Sequence, residues 1–221
     1  MCLAIFFQTS LQNGFCLSPG AEPGGLDRPG SEHLDAALKA FYQAQYQEAL
    51  GHYRAAFEEA EQAGESPELK GRILRGIGAC WLALSDYRTA LEQFLRARPY
   101  TIQGGNREDL AALDSNIGTV YVFQTDYENA RRIYKRALGF LTDAPQSRHR
   151  PTILKNLAAI ELRQERYRQA IEPLRSALRA LEPASDDPAD RNLEAAIHDF
   201  LGFAQWGHRN FTKISCLKST T

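Results

Sequence analysis

The residues able to bind a metal or act as nucleophiles are few and scattered. The histidines stand at His33, His52, His149, His198 and His208, and the cysteines at Cys2, Cys16, Cys80 and Cys216. A zinc site on a helix needs two histidines one turn apart, and a zinc ribbon needs Cys-x-x-Cys pairs. Neither spacing occurs, and His198 and His208 share only a terminal segment. Four cysteines in 221 residues are too sparse for the disulfide framework of a small secreted domain. They read as free thiols of a reducing, cytoplasmic environment, with Cys80 a small filler in an apolar helical stripe. The chain has no phosphate-cradling loop, no nucleophile elbow and no His-Glu-x-x-His. Gly24-Gly25 and Gly104-Gly105 read as turns, and Asp186-Asp187 as a helix cap. These residues lead to an expectation of no enzyme activity, no metal and no cofactor.

Composition narrows the partners. Apolar residues make up 43% and charged residues 24%, and the net charge is -1. That balance can bury a core, and it lacks the basic surface that nucleic acid or an anionic membrane would attract. The opening Met1-Cys2-Leu3-Ala4-Ile5-Phe6-Phe7 has no basic residue ahead of it, so it is not read as a signal peptide. No run approaches the ~20 apolar residues of a membrane span. Gly/Pro clusters at Ser18-Pro19-Gly20, Pro23-Gly24-Gly25 and Pro29-Gly30 make residues 1–30 a flexible leader. From Ser31 the chain turns to Ala, Leu, Glu, Arg and Gln, which favour helix.

The elements that would position any site come from an internal repeat. Tyr46-x-x-Ala49, Tyr87-x-x-Ala90, Tyr127-x-x-Ala130 and Tyr167-x-x-Ala170 recur with alanine spacings of 41, 40 and 40. Four residues beyond each alanine stands a large apolar residue (Tyr53, Phe94, Tyr134, Leu174), and three further another alanine (Ala56, Ala97, Ala137, Ala177). Steps of four and three lie on one helical stripe. Upstream, Leu74-Ile77-Gly78-Trp81, Ile117-Gly118-Tyr121 and Leu154-Leu157-Ala158 supply a second stripe. Each unit is therefore helix–turn–helix. Helices are predicted at about 33–43, 46–63, 68–84, 87–98, 107–123, 127–142, 150–164, 167–182 and 189–206. Asp86 and Asp126 read as N-caps, as do Ser66 before Pro67 and Asp187 before Pro188. Pro99 is expected to stop or kink its helix near Arg98.

Ile77-Gly78-x-x-Trp81…Ala90-x3-Phe94 and Ile117-Gly118-x-x-Tyr121…Ala130-x3-Tyr134 resemble the tetratricopeptide repeat. The resemblance covers about Ser31 to Pro183, with Ala36-Ala37 replacing the usual pair in a looser first unit. It implies an all-α, right-handed solenoid over 31–206, with repeats at about 31–66, 67–106, 107–146 and 147–186, a partial fifth at 187–211 and a tail at 212–221. The 40-residue period exceeds the usual 34 by roughly 9 Å of helix. Leu154-Lys155-Asn156-Leu157-Ala158, followed by Gln164-x-x-Tyr167-x-x-Ala170, is similar to kinesin light chains and to bacterial proteins with a caspase-like CHAT domain. The segment Gly78 to Tyr87 is nearer the bacterial group.

The resemblance also implies a function: binding another protein, as an extended peptide, along a groove lined by the first helices. Carried over position by position, groove residues would be Arg72 and Arg75, then Ser115, Asn116, Thr119 and Phe123, then Lys155, Asn156 and Arg163. Asn116 and Asn156 lie one 40-residue unit apart. An Asn amide can pair with both the N–H and the C=O of one peptide residue, and long-helix members of the family use Asn this way. The two amides are expected to be accessible and to form a short ladder, and the cations to favour an acidic peptide or a free carboxylate. The lysine–asparagine clamp of chaperone-binding members is absent, since its first positions fall on Leu34 and Leu38. An alternative is a regulatory arm of a CHAT-type protease whose catalytic part lies outside the chain. Leu193, Ile197, Phe200, Leu201, Phe203 and Trp206 would leave the helix at 189–206 partly uncovered, a face suited to self-association.

Overall fold

The computed structural model describes residues 31–181 and 188–218. The leader, the Asp186-Asp187 cap and residues 219–221 lie outside the described residues. Among the described residues there are nine helices and no strand: α1 Ser31–Tyr42, α2 Tyr46–Gln62, α3 Pro67–Ala83, α4 Tyr87–Gly104, α5 Arg107–Phe123, α6 Tyr127–Phe140, α7 His149–Arg163, α8 Tyr167–Ala180 and α9 Pro188–Lys218. The chain divides into two compact units between Phe140 and Leu141.

In the first unit, three helix pairs (α1/α2, α3/α4, α5/α6) share one apolar core. Ala49, Ala90 and Ala130 are wholly buried, as are Tyr53, Phe94 and Tyr134 four residues on. The first helix makes room for each ring. A Cβ on Gly78 would lie 2.5 Å from the Phe94 ring, and one on Gly118 would lie 2.7 Å from Tyr134. Small and large residues thus alternate across each pair, the condition for packing at crystal-like density. Burying a side chain as large as Phe94 contributes about 1.5–3 kcal/mol.

The caps behave as their residue types dictate. Ser66 accepts a hydrogen bond from the Leu69 N–H at 3.3 Å, and Asp86 accepts one from Thr89 at 3.0 Å. Asn106 accepts from Glu108 and Asp109, and Asp126 from Asn129 at 3.1 Å. The carboxyl of Asp86 is held below the ordinary aspartate range by the Thr89 N–H and hydroxyl, and that of Asp126 by the Asn129 side-chain amide and N–H.

Each turn from first to second helix is built alike. The residue two before the repeat tyrosine has positive φ: Ala44 at 59°, Ser85 at 65°, Thr125 at 61° and Glu165 at 57°. Its N–H and the next one return to the carbonyls of the preceding helix, as Ser85 to Leu82 and Asp86 to Trp81. This is the Schellman arrangement with its left-handed position filled by non-glycine residues.

Contrary to the expectation for Pro99, α4 runs on to Gly104. The carbonyl deprived of its donor belongs to Leu95, which is 53% exposed, so water can take the missing bond. The extra turn also packs: Thr101 is buried, its Oγ1 donating to the Ala97 carbonyl, and its side chain leaves no room for a Cβ on Gly71.

In the second unit, α7 and α8 form a pair joined by α9. Ala158, Ala170, Leu174 and Ala177 are buried in one cluster with Ile197, Phe200 and Ala204 of α9. Here Ala158 replaces the glycine and Leu174 the aromatic ring, a compensating exchange of volume. The expected end of α9 at 206 is also corrected, because the helix continues to Lys218. Gly207 does not break it: it is buried where α9 crosses Tyr167, whose ring a Cβ would meet at 2.4 Å. Beyond it Ser, Thr and Ile cost only a few tenths of a kcal/mol each in a helix, and no proline intervenes. Trp206 is 62% exposed and stacks on Phe203 at 6.1 Å. Among the described residues no helix is long and apolar enough to cross a membrane.

Candidate peptide-binding face

The first helices carry the expected site residues, and they are buried more completely than an amphipathic pattern would have them. Every residue of α3 from Ile73 to Cys80 and of α5 from Ala111 to Val120 is buried. A helix closed on all sides has no polar flank, so its polar side chains find partners or stand unpaired.

In the first unit most of them are engaged. Arg75 is 4% exposed and donates to Asp109 Oδ1 at 3.0 Å, so its charge is neutralised in place. Thr119 Oγ1 donates to the Ser115 carbonyl at 3.0 Å and lies 2.9 Å from the Tyr134 hydroxyl, which ties it to the core. Phe123 stacks on Tyr87 with ring centres 5.1 Å apart. Arg72 is half-buried and has no carboxylate partner among the described residues.

Asn116 and Ser115 differ from these. Both are 1% exposed, contrary to the expectation of an accessible amide, and neither Asn116 Nδ2 nor Ser115 Oγ has a hydrogen-bond partner. In the second unit Asn156 is also 1% exposed, and both its Oδ1 and its Nδ2 lack a partner. Lys155 beside it is equally buried and presents no charge to solvent, while Arg163 is half-buried. An unpaired buried amide costs about 1–3 kcal/mol.

Two further features escaped the sequence reading. Asp114 is wholly buried on α5 and accepts hydrogen bonds from Arg98 of α4 at 2.8 Å and from Arg136 of α6 at 2.6 and 2.9 Å. The signal was an acid directly after the apolar run Leu110-Ala111-Ala112-Leu113. In the second unit His149 and Thr152 are buried at the start of α7. Cys80 is buried as expected, and burial pushes its thiol up to about 12, which leaves it protonated and inert. Among the described residues no three His, Cys, Asp or Glu side chains converge to hold a metal ion.

No curated protein matches the sequence significantly. Residues 109–182 match the tetratricopeptide repeat family. Among solved structures the chain is similar to BtubC (BKLC) from P. vanneervenii, with TM-score 0.63 and 18% identity over 100% of this chain and 94% of that one. It is similar to the apo form of RapI at TM-score 0.65 and 17% identity, covering 85% of this chain and 53% of RapI. A putative kinesin light chain from Podosopora anserina with nearly identical TPR-like repeats follows at TM-score 0.58 and 12% identity, over 88% of this chain and 98% of that one. At such identities the likeness is one of fold. Residues 109–182 therefore match the tetratricopeptide repeat, and helix pairs of the same pattern, spaced by about 40 residues, precede them.

Proposed function

We propose that the chain is a protein-interaction scaffold whose two units each hold an extended peptide by its backbone, the first through Asn116 and the second through Asn156. The observation that supports this most directly is the pair of repeat-equivalent asparagines buried with unpaired amide atoms. A folded chain that keeps an unsatisfied amide bears a penalty that replacement by an apolar residue would remove. A peptide N–H and C=O supply the missing partners, whatever side chains the peptide carries. Because the amides are closed to water, the face must open before a peptide reaches them. Association is therefore expected to be slower than the 10⁵–10⁷ M⁻¹s⁻¹ usual for docking of preformed surfaces. In the first unit, with Arg75 paired, the preference for acidic peptides rests on Arg72.

Selection from a random peptide library, followed by calorimetry, tests the reading. Selected peptides should bind Asn116→Leu or Asn156→Leu at least tenfold more weakly, although neither variant melts earlier than the wild type. Unchanged affinity in both variants would remove the asparagines from the site. We also propose self-association through the exposed side of α9 around Trp206; sedimentation at several concentrations, with Trp206→Ser as the control, tests it.

A further inference from the structure

We propose that a cleft on a different stripe of α3 is a second recognition site, for a segment of another protein that presents one bulky apolar side chain flanked by carboxylates. The cleft encloses about 220 Å³ between α2, α3 and α4. Its floor is Leu74, Ile77 and Trp81 of α3, with Phe57 of α2 as the wall. These α3 residues follow steps of three and four, whereas Arg72, Arg75 and Gly76 belong to the other side of the helix. An engineered cavity of about 150 Å³ admits benzene, so this one admits a single aromatic or branched side chain. It is too small for a cofactor-sized ligand, which needs roughly 300 Å³ or more.

The rim supplies the charge. The Arg54 guanidinium lies 5.9 Å from the Trp81 ring centre and that of Arg96 lies 6.0 Å from Phe57. Each is packed over its ring and exposed at the rim. Arg96 donates to Gln93 Oε1 at 3.0 Å, and neither arginine pairs with a carboxylate among the described residues. Other arginines of the same unit do: Arg88 with Glu92, Arg98 with Asp114, Arg131 with Glu128. Glu58 also stands on the rim and pairs with neither. A bulky side chain on the apolar floor would place its neighbours' carboxylates at the two guanidiniums, where charge-assisted bonds form.

Trp81 makes the test direct, because the chain has two tryptophans and Trp206→Phe leaves Trp81 as the sole emitter. The probe is acetyl-Glu-Glu-Phe-Glu-Glu-amide added to that variant of the full chain. Trp81 emission should change saturably. Affinity should fall at least tenfold when Phe becomes Ala, when the Glu residues become Gln, or when Arg96→Glu or Arg54→Glu is introduced, and it should weaken with salt. Adding Asn116→Leu should leave it unchanged, which separates this cleft from the asparagine face. Equal binding of the Gln peptide, or no response of Trp81, overturns the proposal. So does a change in Trp81 emission on dilution without peptide, which would assign the cleft to a second copy of the chain.

Discussion

The repeat at 107–140 and the repeat at 149–180 follow one pattern with different residues. In the first, Gly118 makes room for Tyr134, Asn116 keeps an unpaired amide nitrogen, and Asp126 caps the second helix. In the second, Ala158 and Leu174 fill the corresponding positions, Asn156 leaves both amide atoms unpaired, and Arg166 supplies no side-chain cap. What is held constant is the summed volume across the helix pair and the placement of an amide on the first helix. What varies is how much stability each repeat gives up at its asparagine and its turn.

The largest way to break the comparison is to mismatch the volumes. Gly118→Ala should lower stability by about 2 kcal/mol in chemical denaturation, overpacking outweighing the better helix propensity. Adding Tyr134→Leu, which recreates the other repeat's pair, should restore most of the loss. If Gly118→Ala instead stabilises, the ring is not fixed by the glycine. The asparagines come next. Asn156→Leu should raise stability by about 1–2 kcal/mol, and Asn116→Leu by less, because it relieves fewer unpaired atoms. Equal destabilisation of both would mean that the amides are satisfied in the unliganded protein.

The turns have a smaller effect. Thr125→Gly should add about 1 kcal/mol and Glu165→Gly roughly half that, since a β-branched residue suffers most at positive φ. Thermal melting separates the two. The smallest effect is that of pH. Asn129, through its side chain and its backbone N–H, holds the Asp126 carboxyl below its ordinary value. A depressed folded-state value gives stability that is present above the unfolded value and lost as pH falls through the folded one. The melting-temperature advantage of wild type over Asp126→Ala should therefore shrink on acidification.

The helix pairs were legible in the sequence because Tyr-x-x-Ala and its stripes are local and periodic. Their starts were legible where Ser66, Asp86 and Asp126 announce themselves. Pro99 misled, because its local rule cannot know that the Leu95 carbonyl faces water or that Thr101 packs on Gly71. The left-handed turn residues were invisible, since Ala44, Ser85, Thr125 and Glu165 carry no glycine signature. At the candidate site the positions of Asn116 and Asn156 could be read, but not their burial. Nor could the diversion of Thr119 to Tyr134 and of Phe123 to Tyr87, which are contacts made between helices.

Asp114, held between Arg98 and Arg136, bears on how such a chain folds at all. Repeats that resemble one another can stack out of order, and apolar contacts alone discriminate poorly between one neighbour and the next. A carboxylate that needs a guanidinium from the preceding repeat and another from its own tolerates only one order of stacking. In any other it would be buried with one cation or none, and an uncompensated charge of that kind costs about 3–5 kcal/mol. The clasp is thus expected to add little to the finished fold while penalising wrong assemblies, and to couple the repeats at 67–104 and 107–140 in unfolding.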